Sequence, residues 1–225
     1  TDMELIKGKG YLGVKYHAKG LVDCPVEIHV PGRFSVYNSL TAIAVCHHFK
    51  VTTENIQSAL RAAKVKGRIE IVKVSDDFTL MIDYAHNAMS LKSLLSTLQE
   101  YEPGRLVCLF GCGGNRSKLR RYEMGEVSGN MADLTIITSD NPRYEEPQAI
   151  INDIKVGMAK TDGKFVEIAD RKEAIRYAVA HAKPGDVIVL AGKGHEDYQE
   201  ICGVKHHMDE RELIAEVVAE LKSEA

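Results

Sequence analysis

From Gly67 onward the chain repeats one pattern: a short apolar run, a turn of glycines and polar residues, then a stretch with helical periodicity. The apolar runs are Leu106–Phe110, Leu134–Thr138, Phe165–Ile168 and Val187–Ala191. The helical stretches are Ser90–Glu100, Ser117–Met131, Pro147–Ala159, Arg171–Ala182 and Glu210–Lys222. Apolar runs with no polar alternation are strands buried on both faces. Alternating them with amphipathic helices predicts an α/β fold, a Rossmann-like, mostly parallel sheet with helices on both faces. A strand pair, Ile69–Val74 and Phe78–Ile82, opens this unit around the turn Ser75-Asp76-Asp77.

The segment before Gly67 reads differently. Gly8, Gly10 and Gly13 punctuate short strands, and Val26-Glu27-Ile28-His29-Val30 alternates apolar with polar residues. Helices follow over Val36–His48 and Thr53–Ala63, with Thr52 or Thr53 as N-cap. The change of pattern at Lys66-Gly67 divides the chain into residues 1–66 and 67–225.

Composition excludes several classes. The chain has 225 residues, 44% hydrophobic and 27% charged, as in ordinary globular proteins. Its formal charge of −3 gives no hint of a nucleic-acid partner. The one basic run, Lys118 to Arg121, reads as a solvated helix face. No apolar stretch approaches the ~20 residues of a membrane span, and no signal peptide begins at Thr1. Cys24, Cys46, Cys108, Cys112 and Cys202 are scattered and read as free thiols in a reducing, cytoplasmic setting. His195 and Glu196 lack a third ligand at metal spacing, and His206-His207 reads as exposed loop, so no metal site is expected. The sequence says nothing of oligomeric state.

In open α/β sheets, ligands bind beyond the carboxyl ends of the strands. The unusual residues fall there: Asp83 to Asn87, Gly111 to Arg116, Ser139 to Arg143, and Ala191 to Glu196. Gly111 to Gly114 fits a tight turn as well as an anion cradle at a helix N-terminus, and it is not GxGxxG. The same strand ends supply two guanidiniums, Arg116 and Arg143, and two carboxylates, Asp140 and Glu196. Both signs on rigid strand ends suit a zwitterion such as an amino acid. Salt bridges among these four residues are the competing reading.

These residues also resemble a family. Gly32-Arg33-Phe34-Ser35-Val36-Tyr37-Asn38 is similar to GRFNxxN, and Gly67-Arg68-Ile69-Glu70 to GRxE. Asp83 to Asn87 resembles DYAHxP, and Gly111 to Arg116 resembles GCGGDR. Asp140-Asn141-Pro142-Arg143 is DNPR, Gly192 to Glu196 is GKGHE, and Asp209 to Glu212 resembles DDRE. In this order they mark the Mur ligases, specifically those that attach the third residue of the peptidoglycan stem peptide.

The resemblance implies an ATP-dependent amide ligase acting through an acyl phosphate, with Mg2+ held mainly outside this chain. It implies UDP-MurNAc-L-Ala-D-Glu and a diamino acid as partners. DNPR implies meso-diaminopimelate, placing Arg116, Asp140, Asn141, Pro142, Arg143, Gly192 and Glu196 around it. ATP contacts are expected from Asn38, Arg68, Asp83, His86 and Asn87. Residues 1–66 then end the central ATPase domain and 67–225 form the C-terminal domain. On that reading the strands of residues 1–31 lack partners and should pack poorly. No GxxxxGK[ST] is present, so no catalytic residue is assigned and no activity is expected of the chain alone. Departures fall at Ser35, at Asn87-Ala88-Met89 and at Asn115. Alternatives are a ligase for L-lysine or another amino acid, a folylpolyglutamate synthetase-like ligase, and a non-catalytic amino-acid-binding module.

Overall fold

The structure, a computed structural model, describes residues 2–224. The first part holds strands β1 (Glu4–Gly8), β2 (Tyr11–Ala18) and β3 (Cys24–Ile28), then helices α1 (Phe34–His48) and α2 (Thr53–Ala62). The second part holds β4 (Glu70–Val72), β5 (Thr79–Asp83), α3 (Ala88–Gln99), β6 (Arg105–Phe110), α4 (Lys118–Met131), β7 (Leu134–Ile137), α5 (Pro147–Met158) and β8 (Phe165–Glu167). It continues with α6 (Arg171–Ala180), β9 (Asp186–Ala191), β10 (Tyr198–Ile201), β11 (Val204–His207) and α7 (Glu210–Glu224).

The six-stranded sheet has the order β4-β5-β9-β6-β7-β8, parallel except for β4. Its central strands are buried on both sides. Val187, Val189 and Cys108 face α3, α4 and α5, packing with Leu91, Leu95, Met124 and Ile154. Ile188, Leu190 and Leu109 face α6 and α7, packing with Ile175, Ile214 and Val217. This two-sided burial is why the strands read as unbroken apolar runs. Helix α4 lies close on α5 because Gly125 and Gly157 carry no side chain: a Cβ on Gly157 would stand 1.9 Å from the Tyr122 carbonyl.

Residues 2–31 do not pack poorly, as their lack of partner strands predicted. Strand β2 pairs antiparallel with both β1 and β3, so its hydrogen bonding closes locally. Val14, Tyr16, Val26 and Ile28 then bury one face against Ile43 of α1 and Ile56 of α2. Thr52 caps α2, its side chain accepting from the Asn55 amide. Helix α1 is unusual: its inward residues include Ser35 and Ser39, while Tyr37 is 72% exposed and Val45 53% exposed. Tyr101 joins the two parts, its hydroxyl donating to the Gly13 carbonyl and accepting from the Gly32 amide at 2.9 Å each.

The basic run is not a solvated face throughout. Arg121 is 1% exposed, and its guanidinium pairs with Glu145 at 2.7 Å and Asp153 at 2.8 Å. Glu145 and Asp153 lie far along the chain, so nothing in the local sequence marks Arg121 as buried.

Candidate active site

Strands β5, β6, β7 and β9 end side by side, with Asp83 opposite Ala191 and Phe110 opposite both Ala191 and Ile137. Their four following turns enclose a cavity of about 320 Å³. Arg116, Asp140, Asn141, Arg143, Gly192 and Glu196 all line it, as do Tyr84, His86 and Arg120. Pro142 does not; its carbonyl packs behind Gly114, where a Cβ would come within 1.8 Å. That contact accounts for the glycine, since no other residue admits the loop so close.

The four charged residues do not neutralise one another. Arg116 and Arg120 form no ion pair or hydrogen bond among the described residues. Asp140 and Glu196 are instead held by Lys193, which is fully buried. Its ammonium lies 3.2 Å from Asp140 Oδ1 and 3.5 Å from Glu196 Oε2, and donates to Asn141 Oδ1 at 2.7 Å and the Tyr198 carbonyl at 2.5 Å. Asn141 Nδ2 donates in turn to Glu196 at 3.0 Å. The sequence assigns Lys193 no role in the site; its burial against two acids shows one.

A second buried pair lies beneath the site. Arg171 is 3% exposed and Glu210 is fully buried, 2.8 Å apart. Arg171 also donates to the Ser139 and Ala191 carbonyls at the ends of two site loops. Burial pushes the Glu210 carboxyl above the usual carboxylate range, against the pull of Arg171. Cys112 lines the cavity, but burial, with Asp140 adding to it, pushes its thiol up to about 12. It is therefore protonated at neutral pH and a poor nucleophile.

Arg143 has a left-handed backbone, φ 53°, which costs a non-glycine residue roughly 1–3 kcal/mol and persists only where the surroundings enforce it. Here the β10–β11 hairpin does so. The Arg143 amide donates to the Glu200 carbonyl at 3.0 Å, and its carbonyl accepts from the Cys202 amide at 2.8 Å. No part of this hairpin was anticipated. Its signal was the two-residue turn Cys202-Gly203, with φ of 49° and 78°, the primed geometry that joins two strands.

The family profile described as "Mur ligase, glutamate ligase domain" matches residues 67–194. The chain belongs to the Mur ligase family. It is 47% identical over 195 residues to a UDP-N-acetylmuramoyl-L-alanyl-D-glutamate–2,6-diaminopimelate ligase of Caldanaerobacter subterraneus, covering 87% of this chain and 40% of the relative. A ligase of the same description from Clostridium acetobutylicum is 42% identical over 214 residues, covering 94% and 42%. The chain thus spans less than half the length of these relatives. A solved structure of a ligase with that description superposes with a TM-score of 0.75 at 30% identity, covering 97% of this chain and 45% of the other. Thermotoga maritima folylpolyglutamate synthase superposes with a TM-score of 0.63 at 19% identity, covering 84% and 43%, a likeness of fold alone.

The Mur ligase motifs divide into those that touch a cavity and those that brace it. Glu70 of the first C-terminal motif and Arg211 of the last pair with each other, and Arg211 donates to the Gly194 carbonyl. Gly67 sits against the same loop, where a Cβ would meet the His195 amide nitrogen at 2.1 Å. A second cavity, of about 550 Å³, lies between α1, β3 and α3. Asn38, Arg68 and Asp83 line it with Ser35, Val30, Leu60 and Val65. The Asp83 carboxylate accepts from the Ile69 and Ala85 amides, 2.8 Å each, and burial raises its pKa.

The other two expected nucleotide contacts are elsewhere. His86 lines the smaller cavity, its ring 4.7 Å from that of Tyr84. Asn87 caps α3, accepting from the Ser90 amide at 2.9 Å, with Ser90 reciprocating. The capping box thus sets the helix entry without a proline there. Asn115, with φ 53°, takes a left-handed turn that asparagine tolerates. The described residues contain no group of three His, Cys, Asp or Glu placed to hold a metal, and no helix among them is long and apolar enough to cross a membrane.

Proposed function

We propose that this chain is the acceptor-binding part of an ATP-dependent ligase that joins meso-diaminopimelate to UDP-MurNAc-L-Ala-D-Glu in peptidoglycan synthesis, a cytoplasmic reaction. One observation carries the choice of acceptor: Arg143 shares a small polar cavity with Arg116, which forms no ion pair among the described residues, and with two carboxylates. Diaminopimelate has an ammonium and a carboxylate at each end, whereas lysine lacks one of the carboxylates. Arg143 binds the distal carboxylate, and Arg116 serves the other. Asp140, Asn141 and Glu196 take the distal ammonium, and the Gly192 backbone lets the ligand approach. Lys193 keeps the acidic wall from over-attracting cations by offsetting its charge. The names of the relatives favour the same acceptor.

The larger cavity suits a nucleotide. Val30, Leu60, Ala63 and Val65 offer an apolar wall for a base, while Asn38, Arg68 and Asp83 offer polar groups at the rim. ATP, when bound, supplies the phosphoryl group that activates the donor carboxylate. Mg2+ is given no ligand in this chain. Within this reading residues 1–66 end a larger ATPase domain, to which the exposed Tyr37, Val45 and Phe49 side of α1 turns. The domain from residue 67 holds the amino acid so that its other amine meets the activated carboxylate.

The test is incorporation of competing meso-diaminopimelate, L-lysine and D-glutamate by the complete gene product with ATP and UDP-MurNAc-L-Ala-D-Glu. Diaminopimelate should prevail over both. Equal use of lysine would refute the acceptor assignment, and no ATP-dependent incorporation of any of them would refute the ligase reading.

A further inference from the structure

Arg143 is held by more than its own loop. Its Nε donates to Glu200 Oε2 at 3.0 Å and its Nη1 to the Gly114 carbonyl at 2.9 Å. Nη2 has no partner among the described residues, and the side chain lines the cavity. Glu200 therefore fixes the Nε side of the planar guanidinium, and the Gly114 carbonyl fixes its Nη1 side. The free Nη2 between them is the nitrogen that a ligand carboxylate can take.

The same residue also sets the loop. The Glu200 amide donates to Asn141 Oδ1 at 2.9 Å, and its carbonyl accepts the Arg143 amide at 3.0 Å. Gln199, one position earlier, donates to the Asp140 carbonyl at 2.7 Å. Strand β10 thus touches three of the four residues from Asp140 to Arg143, yet Glu200 itself does not line the cavity.

We propose that Glu200 is a positioning residue for acceptor choice: its carboxylate aims the Arg143 guanidinium at the second carboxylate of a diamino-dicarboxylic acid. This rests on the reading of Arg143 given above. An arginine stem has several rotatable bonds, and its rotamer freedom lowers affinity unless something else orders it. A carboxylate on Nε orders it and leaves Nη2 for the ligand. The effect is confined to ligands that use that nitrogen, which separates it from a general loosening of the loop.

The test is isothermal titration of meso-diaminopimelate and of L-lysine into the 225-residue chain, with Arg143→Ala, Glu200→Ala and Glu200→Gln alongside the parent. Glu200→Ala should weaken diaminopimelate binding by roughly tenfold, the scale of one charge-assisted hydrogen bond, and leave lysine unchanged. Glu200→Gln retains an oxygen acceptor of the same size and should restore part of the loss. The Arg143 Nε–H resonance, followed by NMR, should exchange slowly in the parent and fast in Glu200→Ala. Equal weakening of both ligands, or an unchanged resonance, would overturn the proposal. If Arg143→Ala abolishes discrimination while Glu200→Ala does not, Glu200 loses its role but the acceptor reading stands. If Arg143→Ala leaves discrimination intact, or the parent binds neither amino acid, the acceptor reading itself fails. Should Glu200→Ala not fold, the comparison of Glu200→Gln with the parent decides the matter.

Discussion

Replacing Lys193 by methionine should cost far more than a typical lysine change. Methionine keeps most of the stem volume and removes only the ammonium. In the parent that ammonium lies within 3.5 Å of Asp140 and Glu196 and donates to Asn141 Oδ1 and the Tyr198 carbonyl. Its removal takes that partner from the Asp140 carboxylate and the Tyr198 carbonyl and leaves Glu196 with the Asn141 amide, in a region where the lysine is fully buried. Removing one member of a buried pair costs about 3–5 kcal/mol. The Asp140 and Glu196 side chains are 12% and 17% exposed, so cavity water relieves part of this, and about 3 kcal/mol is expected. Lys160→Met is the control, because its pair with Glu126 is exposed on both sides and should contribute at most about 1 kcal/mol. Urea unfolding of the 225-residue chain at pH 7 measures both. A loss below about 1 kcal/mol for Lys193→Met, or one equal to the control, would refute the argument that Lys193 holds the acidic wall together.

Three further outcomes follow from the same structure. The Arg121 guanidinium lowers the Glu145 carboxyl from 4.5 to about 2, so its contribution is complete above about 4.5 and lost as pH falls toward 2. With 29% of the Glu145 side chain exposed, that contribution is about 1 kcal/mol after screening. Glu145→Gln should therefore give a flatter stability curve between pH 5 and pH 2, and parallel curves would refute this. Arg171→Met strands Glu210 and should cost about 3–5 kcal/mol, while Arg171→Met with Glu210→Leu should regain most of it; no recovery in the double variant would show that Arg171 acts through the Ser139 and Ala191 carbonyls instead. The purified 225-residue chain should not turn over ATP, because it has no phosphate-binding loop, and turnover that persists in an independently purified preparation would contradict this.

The sheet was legible because Leu106–Phe110 and Val187–Ala191 are buried on both faces, and two-sided burial leaves no polar alternation to mislead. The strand-end site was legible for the same reason, since the polar residues after each run had no core to enter. What escaped was non-local. Arg121 looks like a surface residue until Glu145 and Asp153 are brought to it from another helix and loop. Lys193 needed Asp140, which lies on a different strand end. The β10–β11 hairpin escaped because Val204–His207 is exposed throughout and buries no face that would impose a pattern. The error over residues 2–31 had another cause: three strands in sequence can satisfy the middle one without help from outside. The Asp83 and Glu196 strand ends adjoin, yet their carboxylates line different cavities. Sequence order alone does not separate those two.

The central claim is that the cavity beyond β5, β6, β7 and β9 receives a zwitterionic amino acid. A crystal structure of the chain grown with meso-diaminopimelate tests it directly. The account predicts density for the amino acid inside the cavity of about 320 Å³, one carboxylate on Arg143 and an ammonium facing Asp140 and Glu196. Density for the ligand only outside that cavity, or a ligand whose carboxylates both avoid Arg143, would contradict it.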